Sequence, residues 1–224
     1  MYTPPMFKSD RAASLAFAEA RGFGTVCAWN GKRPVGSSLP FYLSYAEDGT
    51  PLALFHVARH NPLVKLADSV TPWMLAVNGA DAYVTPDWYV SVDQVPTWLY
   101  QAVHLTGPVR TLSDDELVVQ IDTLSAKFED WMAPKKPWTS AKMTAARLEA
   151  LKKGIVGLSM RVEDVESSFK LNQHKSEADY AAVANGLAAM PDHGSQTIAQ
   201  LMRDTRPQAF AATTNETASL EGSM

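Results

Sequence analysis

Two short stretches concentrate the side chains that could do chemistry. The first, Phe55-His56-Val57-Ala58-Arg59-His60-Asn61-Pro62, places two histidines, an arginine and an asparagine where a strand gives way to a short helix begun by Pro62. Helix starts carry unpaired N–H groups and partial positive charge. An arginine beside them adds a forked pair of donors, so this junction suits an anion such as a phosphate monoester. The ordinary alternative is a turn whose polar groups cap the next helix, and residue types alone do not separate the two. His56 and His60 stand four apart, as in helical zinc pairs. However, no glutamate follows His56 and the segment begins as a strand, so no metal is expected. His104, His174 and His193 are scattered, and no nucleophile and base can be paired by spacing.

The second stretch runs from Asp81 to Tyr89 and continues through Val95-Pro96-Thr97-Trp98-Leu99-Tyr100. It holds five large aromatics, Tyr83, Trp88, Tyr89, Trp98 and Tyr100, within 18 residues broken by prolines. Packing into a core would account for them. A flat aromatic ligand stacked or edged by these rings is the sharper alternative. The single cysteine, Cys27, lies in an apolar run, so no intrachain disulfide can form and a reducing, cytoplasmic compartment is expected. No apolar run reaches the length of a membrane span, and the Met1-Tyr2-Thr3-Pro4-Pro5 start does not read as a signal peptide.

The elements that must hold these residues are mostly short strands. Ser9 and Asp10 precede an alanine-rich stretch that ends at Gly22, a capped start and glycine stop that predict a first helix. Strands are expected over 23–29, 35–45, 51–57, 72–78, 80–85 and 101–112, with Asn30-Gly31 and Glu47-Asp48-Gly49 as turns. Ser113-Asp114-Asp115-Glu116 is a capping box that opens a helix to about Trp131. A helix over 140–153, a strand over 155–165 and a last helix over 176–190 follow. Strands in series with helices gathered at the ends, and no βαβ repeat, indicate an α+β antiparallel barrel. We expect one domain over 1–205 and a polar, disordered tail over 206–224.

The net charge of -4 and a pI near 5.7 argue against the broad basic surface of a nucleic-acid binder. One segment dissents. Between Pro134 and Gly154, six basic residues (Lys135, Lys136, Lys142, Arg147, Lys152 and Lys153) stand against Glu149 alone.

Several ordered motifs connect the two stretches. They are Met1-Tyr2-Thr3-Pro4, Leu39-Pro40, the His56 to Pro62 stretch, Ala82-Tyr83-Val84-Thr85-Pro86-x-Trp88-Tyr89, Val95-Pro96-Thr97-Trp98, Val103-His104-x-x-Gly107 and Lys170-Leu171-x-Gln173. In this order and spacing, from Met1 to about Gly186, the chain resembles the PaiB-type family of FMN-binding negative transcriptional regulators. It departs from the family pattern at Ser38, Leu99 and Lys175.

The resemblance implies an antiparallel split β-barrel of the flavin-reductase and pyridoxamine-phosphate-oxidase kind with flanking helices, FMN as cofactor, and a homodimer with flavin at the subunit interface. It puts Arg59, His60 and Asn61 near the phosphate, with Ser37 and Ser38 on the facing strand, and backbone contacts to the ring at His56 and Val57. Tyr83, Thr85, Trp88, Thr97, Trp98, Lys170 and Gln173 lie in the matched motifs and are expected as further flavin contacts. A binding and regulatory role is expected before an enzymatic one. A flavin-dependent oxidoreductase on the same fold is the alternative, and a haem-handling barrel using His56 and His60 is the third reading. DNA is a partner that the family implies and the net charge does not support.

Overall fold

The computed structural model describes residues 1–67 and 70–211. These divide into two compact units. The larger comprises Asp10–Val77 and Val103–Glu166, and the smaller Met1–Ser9, Asn78–Ala102 and the chain from Ser167 onward.

In the larger unit, α1 (Arg11–Arg21) starts where the Asp10 carboxylate accepts from the Ala13 N–H and stops at Gly22, whose φ of 58° is left-handed. The next strands are β1 (Phe23–Trp29), β2 (Pro34–Pro40), β3 (Tyr42–Tyr45) and β4 (Pro51–Ala58). Later come β5 (Trp73–Val84), β6 (Thr97–Gly107), β7 (Val109–Thr111), β8 (Ile155–Arg161) and β9 (Asp164–Lys170). One sheet has the order β2-β1-β5-β6-β9 and the other β3-β4-β8-β7; β5, β6 and β9 each contribute residues to both units. Burial alternates along β4, with Ala53, Phe55 and Val57 inside and Leu52, Leu54 and His56 partly exposed. The capping box forms as expected: Ser113 Oγ accepts from the Glu116 N–H and the Glu116 carboxylate from the Ser113 N–H, opening α2 (Asp114–Asp130). The helix α3 (Ala145–Lys152) ends just before Gly154.

The smaller unit is built on α4 (Glu177–Ala188) and α5 (His193–Thr205). Tyr180, Val183, Ala184, Leu187, Ile198, Ala199 and Met202 form one buried cluster with Val84, Leu99 and Leu171. The Tyr180 hydroxyl donates to the Met202 carbonyl at 2.9 Å, joining the two helices.

Several expected boundaries change. The strand over 35–45 breaks at Phe41, where the chain leaves one sheet for the other and the Phe41 N–H bonds to the Gly22 carbonyl. The strand over 101–112 begins earlier, at Thr97, and breaks at Pro108, which has no N–H for a ladder. The strand over 155–165 likewise divides into β8 and β9. Conversely, β5 runs unbroken through Gly79, since its burial pattern and pairing outweigh one flexible residue. The helix expected over 140–153 is a 3-10 turn, Ser140–Lys142, followed by α3 with its own cap at Thr144. The helix α5 lies beyond the last helix expected from the sequence, over 176–190; Asp192 caps it by accepting from the Ser195 N–H. The chain continues past Arg206 into a turn, Pro207–Phe210, whose Phe210 ring meets Tyr180 edge-on. Residues 212–224 of the expected tail lie outside the described residues.

Candidate functional site

The sequence-predicted residues separate into two sets, one in each unit. In the larger unit, β4 delivers the chain into the turn Arg59–His60, and Asn61 caps the 3-10 helix Pro62–Leu66 by accepting from the Leu63 N–H. The Asn61 amide also donates to Ser37 Oγ at 2.8 Å, which ties the turn to β2. Since Ser37 accepts there, its own proton is free for an acceptor-only group. Ser38 points to the opposite face of β2 and meets its cross-strand partner Thr25 at 3.0 Å, so it does not join Ser37 around one ligand.

Arg59 is partly committed elsewhere. Its Nε donates to the Lys153 carbonyl at 2.6 Å and its Nη2 to the Ile155 carbonyl at 2.9 Å, while its N–H bonds to Gly154. The arginine thus clamps the chain where α3 passes into β8. His60 is exposed. His56 is mostly buried, with Nδ1 3.4 Å from the Gln120 amide nitrogen on α2. Burial lowers its pKa below the ordinary 6.5, partly offset by the Gln120 contact, so the ring is neutral near pH 7. The Gln120 amide oxygen is buried without a partner. Val57 has a buried side chain and pairs with Val156 of β8. Among the described residues β3 pairs with β4 only as far as Leu54, so Phe55 to Ala58 have a strand neighbour on the β8 side alone. The edge strand β2 is likewise open on one side.

In the smaller unit, Tyr83, Thr85, Trp88 and Trp98 line a cleft of about 540 Å³ together with Asp81, Ala82, Met190, Asp192 and Ser195. Tyr83 and Trp98 meet edge-to-face at 5.9 Å and are 48% and 54% exposed, open enough to take a partner ring. Trp88 lies across α4 at Gly186, where a Cβ would come within 2.5 Å of the indole; only glycine leaves room for that approach. Thr85 caps the turn Pro86–Trp88. Thr97 accepts from Lys170 Nζ at 2.5 Å. The Gln173 amide is used within its own loop, accepting from the Leu171 N–H and donating to the Phe169 carbonyl.

The family model described as "Putative FMN-binding domain" matches residues 1–164. The chain belongs to that family. It is 32% identical over 205 residues to "Protease synthase and sporulation protein PAI 2" of Bacillus subtilis (strain 168), across 91% of this chain and 97% of that one. Among solved structures it is similar to an FAD and haem binding protein from Mycobacterium smegmatis, with a TM-score of 0.53, 15% identity and 73% of each chain covered. A conserved hypothetical protein from Mycobacterium tuberculosis matches with a TM-score of 0.52 and 12% identity, over 88% of this chain and 99% of that one. At these identities the structural matches establish the fold. The protein is an FMN-binding split-barrel protein related to the PaiB type.

The residues present fit an FMN group. Two strand edges with spare backbone donors and acceptors, bridged by Asn61 and Ser37, offer what a phosphate ester and a ring edged with carbonyl and nitrogen atoms require. Thr25 and Gln120 were missed by sequence reasoning. Thr25 could be found only once Phe23 and Pro40 are known to be cross-strand partners, and Gln120 only from its place on the helix face over His56. Met190, Asp192 and Ser195 were missed because α5, whose start brings this segment to the cleft, was not expected from the sequence. Among the described residues no three of His, Cys, Asp and Glu are grouped as for a metal ion. No helix among them is long and apolar enough to cross a membrane.

Proposed function

We propose that the Ser37–Asn61 bridge and the turn after β4 hold the phosphate end of FMN, with Asn61, Ser37 and His60 as donors and with Arg59 bracing the turn from behind. The observation that supports this is the 2.8 Å Asn61–Ser37 hydrogen bond, which ties the turn after β4 to the edge strand β2. The open edge at His56 and Val57 offers backbone groups to the ring. Bound FMN supplies one- or two-electron transfer; the chain's residues bind and orient it.

The protein works as a homodimer and in gene regulation. Support for the dimer comes from the smaller unit, where Tyr83, Val90, Val92, Val95 and Trp98 are all at least 48% exposed, an apolar surface that a two-fold copy would cover. The regulatory reading rests on the relationship to PaiB-type proteins. The lone, unbonded Cys27 is consistent with the cytoplasm.

Direct DNA contact has weaker support. Of the six basic residues between Pro134 and Gly154, Lys135 pairs with Glu129 and Lys152 with Glu149, and Asp114 and Asp115 also act on Lys152. Lys142 donates to the Pro137 carbonyl at 2.8 Å, which leaves Lys136, Arg147 and Lys153 to face phosphates. We therefore assign regulation to the flavin-bound protein acting without a broad DNA-binding face. A mobility-shift titration with the protein's own promoter region at low and moderate salt tests this. No shift is expected, and a shift abolished by replacing Lys136, Arg147 and Lys153 would overturn it.

A further inference from the structure

A second pocket in the smaller unit has a composition opposite to that of the aromatic cleft. Phe7, Tyr89, Gln94, Val95, Thr97, Lys170, Asn172, His174 and Lys175 enclose about 220 Å³. This is below the roughly 300 Å³ at which whole-ligand sites begin, and is the size for a single group. The lining holds two lysines and a histidine and no acid. Lys170 Nζ bonds to Thr97 Oγ1 at 2.5 Å and Lys175 Nζ to Gln94 Oε1 at 2.6 Å; neither lysine has an ion pair among the described residues. Two like charges beside one pocket, held by neutral partners only, repel each other unless an anion comes between them.

The remaining polar groups are also placed to donate. The Tyr89 hydroxyl, on a residue 9% exposed, accepts from the Asn172 amide at 3.0 Å and so keeps its proton available. Asn172, 1% exposed, holds a left-handed φ of 61° at this turn. The loop that carries His174 is fixed from outside the pocket lining by Arg206, whose guanidinium donates to the Gln173 and Lys175 carbonyls. The nearby acids are turned to other tasks: Asp179 accepts from the Val90 and Ser91 N–H groups, and Glu177 lies 3.9 Å from Arg206. His174 packs edge-on against Phe7, and burial together with Lys175 and Lys170 lowers its pKa below 6.5.

We propose that the pocket formed by Lys170, Lys175, His174 and Tyr89 binds a phosphoryl group. The group belongs to a phosphorylated ligand other than FMN, a choice that rests on the placement of the FMN phosphate at Asn61.

The test follows the His174 ring protons by NMR through a pH titration. Inorganic phosphate added to flavin-free protein should raise the His174 midpoint saturably, because an anion replaces the repulsion from the two lysines with attraction. Potassium chloride at matched ionic strength should not. Lys170→Gln and Lys175→Gln should each weaken the phosphate response about tenfold, while an unchanged unfolding midpoint shows that the fold persists. Repeating the titration with FMN, with riboflavin and with phosphate on FMN-saturated protein separates the sources. A phosphate response that survives FMN saturation is the expected result, and a phosphate response lost on FMN saturation would place the flavin's own phosphate here and overturn the proposal. A His174 midpoint unmoved by phosphate, or moved equally by chloride, would overturn the proposal. Flavin absorbance read on the same samples reports separately whether FMN binds.

Discussion

Asn61 does two jobs at one turn: its carbonyl oxygen caps the 3-10 helix and its amide holds Ser37. Replacing Asn61 by Ala removes both, and FMN affinity should fall about tenfold, equivalent to one lost hydrogen bond of ~1.4 kcal/mol. Riboflavin, which lacks the phosphate, should lose less, and parallel titrations of flavin fluorescence measure the difference. Arg59→Ala should behave differently, because its contacts are to the Lys153 and Ile155 carbonyls: both flavins should lose affinity together, alongside about 1 kcal/mol of stability.

His56 gives a pH prediction. Its folded pKa lies below the 6.5 of the unfolded chain, so as pH falls the unfolded state takes up the proton first. The stabilisation is therefore full above about pH 6.5 and is lost as pH drops from there toward the lowered folded value. His104 and His174, also depressed chiefly by burial, act in the same direction. Denaturant midpoints at about pH 7.5 and about pH 5.5 should differ, and His56→Gln should flatten part of that slope. The chemistry of these residue types was legible in the sequence. Their commitments were not, since whether a guanidinium faces a ligand or a carbonyl depends on residues about 95 positions away.

At the level of elements, glycines and caps decide how closely the chain can approach itself. A Cβ on Gly194 would lie 2.6 Å from the Asp81 carbonyl oxygen, so Gly194→Ala should push the start of α5 off β5 and reshape the aromatic cleft. A stability loss of about 1–3 kcal/mol in thermal or denaturant unfolding is expected. Gly107 is more severe: a Cβ there would fall on the Arg161 carbonyl oxygen, and Gly107→Ala should prevent the β6 end from seating. Elements with local signatures were readable, as with the Ser9-Asp10 start and Gly22 stop of α1 and the capping box of α2. The breaks at Phe41 and Pro108 and the whole of α5 were harder. A change of sheet, and a helix that begins His193-Gly194-Ser195, are settled by tertiary pairing and burial that no local pattern carries.

For the molecule as a whole, the ordered motifs and strand succession were enough to indicate a split-barrel flavoprotein, and the family match over residues 1–164 agrees. What no single-chain pattern could supply is the partner of the exposed aromatic and valine surface around Trp98. If a second copy covers it, light scattering should give about twice the chain mass of 24.5 kDa, and Trp98→Asp should yield a monomer with weakened flavin binding. The central claim, that this chain holds FMN, is tested most directly by titrating flavin-free protein with FMN while following flavin fluorescence and visible absorbance. Saturable binding of one FMN per chain, tighter than riboflavin, is the predicted result. A spectrum and fluorescence unchanged from free FMN at protein excess would contradict it.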